Sequence, residues 1–215
     1  LIKNIFFDLD GTIIDSAPGI IKALRYAYQQ AALSVPDDSV LRKFIGPPLL
    51  ESIEKYTKIS PESELARQLL RGFQEYYGRS GWQEMHLYPQ IVPVLKQLQQ
   101  NGHRLYIATA KPQTFAKQIV DYLEIQQYFV NLYGTDLDEK MQKKDVIQRA
   151  LKIEAISDPQ QIVMVGDRDT DVLGAAANQV ATIGVLYGFG TATELTQAGA
   201  KALIKTPEQL IEQVS

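Results

Sequence analysis

The chain has 215 residues, 45% of them hydrophobic and 22% charged, with a formal net charge of −3. Its basic residues are scattered apart from one short cluster, Lys140 to Lys144, which excludes a general polyanion-binding surface and a nucleic-acid partner. Cysteine is absent, which excludes disulfides, zinc–thiolate sites and cysteine nucleophiles.

The N-terminal region enters an apolar run, Ile5 to Phe7, after one early lysine and without a signal-peptide pattern. No apolar stretch approaches the roughly 20 residues of a membrane span. The expectation is a cytoplasmic protein with no membrane partner that acts on a small molecule, its oligomeric state left open. Ile5 to Phe7 reads as a buried strand and runs straight into Asp8-Leu9-Asp10-Gly11-Thr12. Side chains two residues apart on an extended chain point the same way, so Asp8 and Asp10 converge at the strand end. Such a pair loses solvation and repels itself, and persists with a compensating cation or a chemical role.

Helical spacing follows at Ile20, Ala23, Leu24, Ala27 and Tyr28, with Pro18 suited to a first turn and Asp15 or Ser16 as N-cap. Helices are predicted over Ile20–Ala32, Asp38–Phe44, Leu49–Tyr56 and Ser63–Tyr77, with no convincing strand between them. Phe73, Tyr76, Tyr77 and Trp82 read as packing within this segment. Strand-like runs then alternate with helices: Leu105–Ala108, Val130–Tyr133, Ile162–Val165, Thr182–Leu186 and a short Ala202–Ile204. That alternation predicts an α/β fold, a Rossmann-like parallel sheet core over 1–15 and 82–215. An all-helical cap over 16–81 interrupts it, with Gly78, Gly81 and Pro89 near the return.

Ligands of open parallel sheets bind beyond the carboxyl ends of the strands. Those ends carry Asp8 and Asp10, then Thr109-Ala110-Lys111-Pro112, then Gly166-Asp167-Arg168-Asp169-Thr170-Asp171. Lys143 and Lys144 precede a helix predicted at Val146 to Leu151. Several carboxylates at one edge call for a divalent cation, and all-oxygen ligation suits Mg²⁺. A hydroxyl and a lysine nearby suit a phosphate. A carboxylate close to that phosphorus is a plausible nucleophile, giving an aspartyl-phosphate.

In this order, these residues resemble the four motifs of the haloacid dehalogenase superfamily of phosphohydrolases: Asp8-Leu9-Asp10-Gly11-Thr12, Thr109, a lysine before a helix, and Gly166-Asp167 with Asp171 four residues on. The helical insertion is similar to that of the helical-cap subclass. Phe44-Ile45-Gly46-Pro47-Pro48-Leu49 and Gly184-Val185-Leu186-Tyr187-Gly188-Phe189-Gly190 resemble its phosphoglycolate phosphatase and 5′-nucleotidase-like branch. The resemblance implies a Mg²⁺-dependent phosphatase acting on a small phosphorylated metabolite, phosphoglycolate first, then a nucleoside monophosphate or pyrophosphate. A phosphomutase shares the same motifs, and a non-catalytic regulator on the same fold is the remaining rival.

The resemblance also implies roles. Asp8 is the nucleophile and a metal ligand. Asp10 is the general acid and base and ligates the metal through its backbone carbonyl. Asp167 is the third protein ligand, and Asp171 supports the metal shell or the lysine. Thr109 and the backbone N–H of Ala110 hold phosphate oxygens. The family often carries Asn or Ser at position 110, so Ala110 forgoes one polar contact. The lysine is Lys143 or Lys144, the pattern favouring Lys143. Lys111 reads either as a cap-facing residue or as a solvated one, and Asp169 is left out. Gly46 and Pro47 are the candidate specificity residues of the cap, while His86 and His103 read as structural.

Overall fold

A computed structural model of the chain describes residues 1–138 and 140–215. In chain order the elements are β1 (Asn4–Phe7), β2 (Ile14–Asp15), α1 (Ala17–Gln30), α2 (Asp38–Leu41), α3 (Leu49–Thr57) and α4 (Glu64–Arg79). Next come β3 (His86–Leu87), α5 (Ile91–Gln100), β4 (Arg104–Pro112), α6 (Gln113–Tyr122), β5 (Asn131–Thr135) and α7 (Lys143–Ile153). The chain closes with β6 (Ile162–Gly166), α8 (Asp169–Ala176), β7 (Ala181–Val185), α9 (Ala192–Ala198), β8 (Ala202–Ile204) and α10 (Gln209–Val214). A 3₁₀ turn over Arg42–Phe44 extends α2. No described helix is long and apolar enough to cross a membrane.

Six of the strands form one parallel sheet in the order β5-β4-β1-β6-β7-β8. β1 is central because Ile5, Phe6 and Phe7 are apolar on both faces, as a strand covered on two sides requires. Ile5 and Phe7 pack with Leu95, Ile107, Ile119 and Val165 on one side. Phe6 points the other way, with Tyr106, Met164, Val146 and Ala150.

Helices α1 to α4 have a core of their own, built from Leu24, Tyr28, Leu41, Phe44, Ile53, Leu69 and Tyr77. The Ser63 hydroxyl caps α4 by accepting from Ala66 N at 3.1 Å. At the head of α1 the Ser16 side chain makes no cap bond. Asp15 Oδ1 accepts from Ala17 N at 3.0 Å instead. Where the chain leaves and re-enters the sheet region, β2 pairs antiparallel with β3, Ile14 opposite Leu87 and Asp15 opposite His86. At two residues each, these stem strands carry no periodicity that marks them in sequence. Phe73 stacks on Tyr77 with ring centroids 5.3 Å apart, and Trp82 packs edge-on against Tyr122 of the sheet region.

Candidate active site

Register explains how distant residues meet. Phe7 is level with Ile107 of β4 and with Val165 of β6. Asp8, Thr109 and Asp167 therefore lie just past the same line at the carboxyl ends of three adjacent strands. Asp8 N donates to Val165 O at 2.9 Å, which holds the first carboxylate in the ladder. Gly11 then turns the chain with φ +79°, and a Cβ there would lie 2.2 Å from Asp167 Oδ2, so only glycine fits.

Three carboxylates, Asp8, Asp167 and Asp171, each bring an oxygen within 4.8 Å of the others, all buried. Lys143, 4% exposed, reaches into this cluster from the first turn of α7. Its Nζ lies 2.7 Å from Asp8 Oδ1 and 2.7 Å from Asp171 Oδ1, and donates to Ala108 O at 3.2 Å. Lys144, one residue on, faces solvent. The helix starts earlier than predicted, and its first residue is the buried lysine.

Burial pushes the Asp167 carboxyl well above the usual carboxylate range, and Asp171 and Asp8 push it further. Burial likewise raises Asp171 to about 6, with Asp8 adding to it and Lys143 opposing. Burial alone would lower the Lys143 pKa; Asp171 and Asp8 outweigh it and hold the ammonium above the usual lysine value. The Lys143 ammonium thus pairs with two of the three carboxylates, while Phe189 N and the Arg168 guanidinium partly offset the rise at Asp167. Asp167 Oδ2 accepts from Phe189 N at 2.7 Å, while its Oδ1 is buried with no hydrogen-bond partner among the described residues. An orphaned carboxylate oxygen beside two others fits a hard divalent cation.

The Asp10 carboxylate stands apart from this cluster. Its Oδ2 lies 3.1 Å from Lys111 Nζ, which also donates to Tyr77 OH at 2.8 Å and sits 4.5 Å from the Tyr77 ring centroid. Of the two readings of Lys111, the solvated one is corrected: the residue is buried between the carboxylate-bearing sheet edge and α4. Asp10 and Tyr77 make that burial possible by holding the ammonium above its usual pKa against desolvation. β4 also runs on past the predicted Ala108 to Pro112, with an irregularity in its register against β5. Bulged strand ends of this kind re-aim side chains next to sites. Here Thr109 Oγ1 accepts from Lys111 N at 3.2 Å. Buried Ala110 presents its carbonyl to Thr135 Oγ1 at 2.9 Å.

Asp10, Lys111 and Ala110 line a cavity of about 60 Å³ closed over by Phe44, Gly46, Pro47 and Tyr77. Gly46 and Pro47 thus line this cavity from the loop between α2 and α3. Asp169 is part-buried and its carboxylate is outside the three-carboxylate cluster. His103 is buried, with Nδ1 3.0 Å from Ile2 O, and His86 is exposed near Asp15, both away from the cluster.

Residues 5–185 match the family of haloacid dehalogenase-like hydrolases. The chain belongs to this family. Over 193 residues this hydrolase is 36% identical to a 5′-nucleotidase of Pseudomonas aeruginosa, covering 89% of this chain and 86% of that protein. Over 190 residues it is 34% identical to the tyrosine-protein kinase PtkA of Mycobacterium tuberculosis, 87% of this chain but 63% of that longer protein. A phosphoglycolate phosphatase of Vibrio parahaemolyticus is 28% identical over 220 residues, 100% of this chain and 96% of its own. Among solved structures, that of a predicted phosphatase from Clostridium acetobutylicum superposes with a TM-score of 0.95 at 37% identity, covering 100% of this chain and 98% of that one.

Two residues of this haloacid dehalogenase-like hydrolase find their partners only in the geometry. Lys111 is one, paired with Asp10. Arg168, inside the fourth motif, is the other. It is buried beside Asp167, with Nε donating to Glu194 Oε1 at 2.8 Å. Nothing in the local sequence separates it from a solvated arginine, because its partners lie at positions 43, 45 and 194.

Proposed function

We propose that this hydrolase is a Mg²⁺-dependent phosphatase that cleaves a small phosphoric monoester through an aspartyl-phosphate on Asp8. The observation that carries this reading is the buried trio Asp8, Asp167 and Asp171 with the Lys143 ammonium held between two of them. Asp8, Asp167 and the Asp10 backbone carbonyl would hold Mg²⁺, with Asp171 supporting. When bound, the ion neutralises phosphoryl charge, which is the main requirement of phosphoryl transfer.

Asp8 supplies the attacking carboxylate oxygen, held in place by Lys143. Thr109 Oγ1 has no acceptor for its own proton among the described residues, so it is free to donate to a phosphoryl oxygen, and Lys143 would bind one by giving up a present contact. Asp10, on the cavity side of the edge, gives its proton to the leaving alkoxide. It then takes one from the water that attacks the phosphorus of the Asp8 acyl phosphate, releasing phosphate and restoring Asp8. Residues 1–15 and 82–215 serve as the catalytic core in this reading, and residues 16–81 as the cap. Asp8 is 2% exposed, so the substrate enters by movement of the cap.

The cavity beside Asp10 supports a leaving group of few heavy atoms. Its volume of about 60 Å³ leaves room for only a few waters. So small a space favours a glycolate-sized leaving group, which keeps phosphoglycolate first; a nucleoside requires the cap to stand further open. The nucleotidase reading keeps its place because of the 36% identity to the Pseudomonas aeruginosa enzyme.

Phosphate release should be measured across phosphoglycolate, nucleoside monophosphates, sugar phosphates and pyrophosphate. Turnover is expected with Mg²⁺ and should vanish in EDTA. Chelator-insensitive turnover contradicts the metal assignment. Phosphate passing to a second sugar phosphate rather than to water makes the protein a mutase.

Stability gives an independent check. Asp171 has a folded-state pKa of about 6, above its ordinary value, so the folded metal-free protein binds that proton more tightly than the unfolded chain. Its contribution is therefore favourable at low pH and is lost as pH rises from about 4 to about 6. Mg²⁺ relieves the same repulsion, so it should raise Tm more at pH 7 than at pH 5. An equal rise at both pH values would contradict carboxylate ligation at this cluster.

A further inference from the structure

We infer that Arg168 is a positioning residue that latches the cap loop Phe44–Leu49 onto the core loop carrying Asp167 and Asp171. The inference rests on the phosphatase reading above and adds what holds the wall against which the leaving group sits.

Arg168 is fixed at its root. Its backbone N–H donates to Asp171 Oδ2 at 3.0 Å, as part of the cap of α8. Its side chain then leaves the core in two directions. Nε donates to Glu194 Oε1 at 2.8 Å, and the same oxygen accepts from Asp169 N at 3.0 Å. The Nη1 arm donates to Ile45 O, and lies 3.5 Å from Lys43 O. These carbonyls sit where the helical run Asp38–Phe44 ends, where backbone acceptors lack helical partners. One guanidinium therefore joins a core carboxylate to cap carbonyls, a two-sided reach that its planar fork permits and a lysine ammonium does not reproduce.

Gly46 completes the joint. Its φ is +106°, a conformation that disfavours a side chain, and a Cβ there would lie 2.8 Å from Arg168 Cγ. The loop backbone lies directly on the arginine stem, which gives a physical reason for glycine in the Gly46-Pro47-Pro48 run. Beyond the contact, Phe44, Gly46, Pro47, Pro48 and Leu49 line the cavity that also holds Asp10 and Lys111. Arg168 does not line that cavity itself. Its influence on the reaction passes through the loop, and the loop bears on the leaving group rather than on the phosphoryl group.

That separation gives the test. Arg168→Lys keeps a cation beside Glu194 and removes the second arm. Two quantities should be compared with the wild type in Mg²⁺: kcat/KM for the fastest substrate of the phosphate-release panel, and the rate of phosphoenzyme formation from acetyl phosphate, whose leaving group needs no protonation. The latch expects kcat/KM on the panel substrate to fall about 10²-fold, the scale of an ångström-sized misplacement. It expects phosphoenzyme formation from acetyl phosphate to stay within about 3-fold of wild type, a change worth under 1 kcal/mol.

Equal losses on both would show general damage to the core loop and overturn the latch; no loss on either would overturn it too. If Arg168→Lys fails to fold, Gly46→Ala decides, since it lifts the loop from an intact arginine and should give the same selective loss. A wild-type protein that forms no phosphoenzyme from acetyl phosphate or the panel substrates fails the phosphatase reading itself. A wild type that forms it, with Arg168→Lys losing both rates alike, fails only the latch.

Discussion

Replacing Asp8 by asparagine is expected to lower turnover by about 10⁴-fold or more while leaving the protein folded. The amide has the shape of the carboxylate, and the backbone bond from residue 8 to Val165 O is untouched. It has no anionic oxygen to attack phosphorus. The Asp8 charge also helps push Asp167 and Asp171 upward in pKa, so its removal relieves like-charge repulsion. Lys143 keeps Asp171 as a partner at 2.7 Å. The metal-free variant should therefore melt no lower than wild type by about 1 kcal/mol, the ordinary scale of a tolerated substitution. Phosphate release and a thermal melt check both halves. Substantial residual turnover would remove Asp8 as nucleophile.

The second large effect belongs to Lys143. Lys143→Ala should lower turnover by about 10³-fold, the scale of losing one electrostatic contact to developing charge. It should also destabilise the fold by about 3–5 kcal/mol, because it strands buried carboxylates without their counter-charge. Mg²⁺ should recover part of that stability, since the ion answers the same excess of negative charge. Lys144→Ala is the internal control. Its side chain is exposed, so stability should move by no more than about 0.5 kcal/mol and turnover should be nearly unchanged. Paired melts and rate measurements on the two variants decide the matter. Loss in Lys144→Ala alone would reverse the assignment.

The carboxylate-bearing edge was legible because each strand leading to it is a short apolar run ended by polar residues, and parallel topology stacks such ends side by side. Ile5–Phe7 and Ile162–Val165 show this in the simplest form, since the strands lie where the runs do. β4 resisted the same reading: its last four residues, Thr109 to Pro112, look like a loop and are held as strand by β5. The stem strands β2 and β3 were invisible, being pairings of two residues each across the whole helical insertion.

Lysine fate was legible only in part. A lysine is buried when a partner neutralises it, and the partners of Lys111 are Asp10 and Tyr77, both remote in sequence. Arg168 is the extreme case. Its position inside the fourth motif hid a contact with a loop more than a hundred residues earlier. The cavity carries the same lesson, since its walls come from α1, α4, the Phe44–Leu49 loop and β4, and no local pattern gives its size.

Acid-quenched mass spectrometry of the protein mixed with Mg²⁺ and its fastest substrate would reveal whether Asp8 carries the phosphoryl group during turnover. One phosphoryl group is expected on the peptide containing Asp8-Leu9-Asp10, mapped to Asp8 and absent from Asp8→Asn. A phosphoryl group on any other residue, or turnover at full rate with none on Asp8, would contradict it.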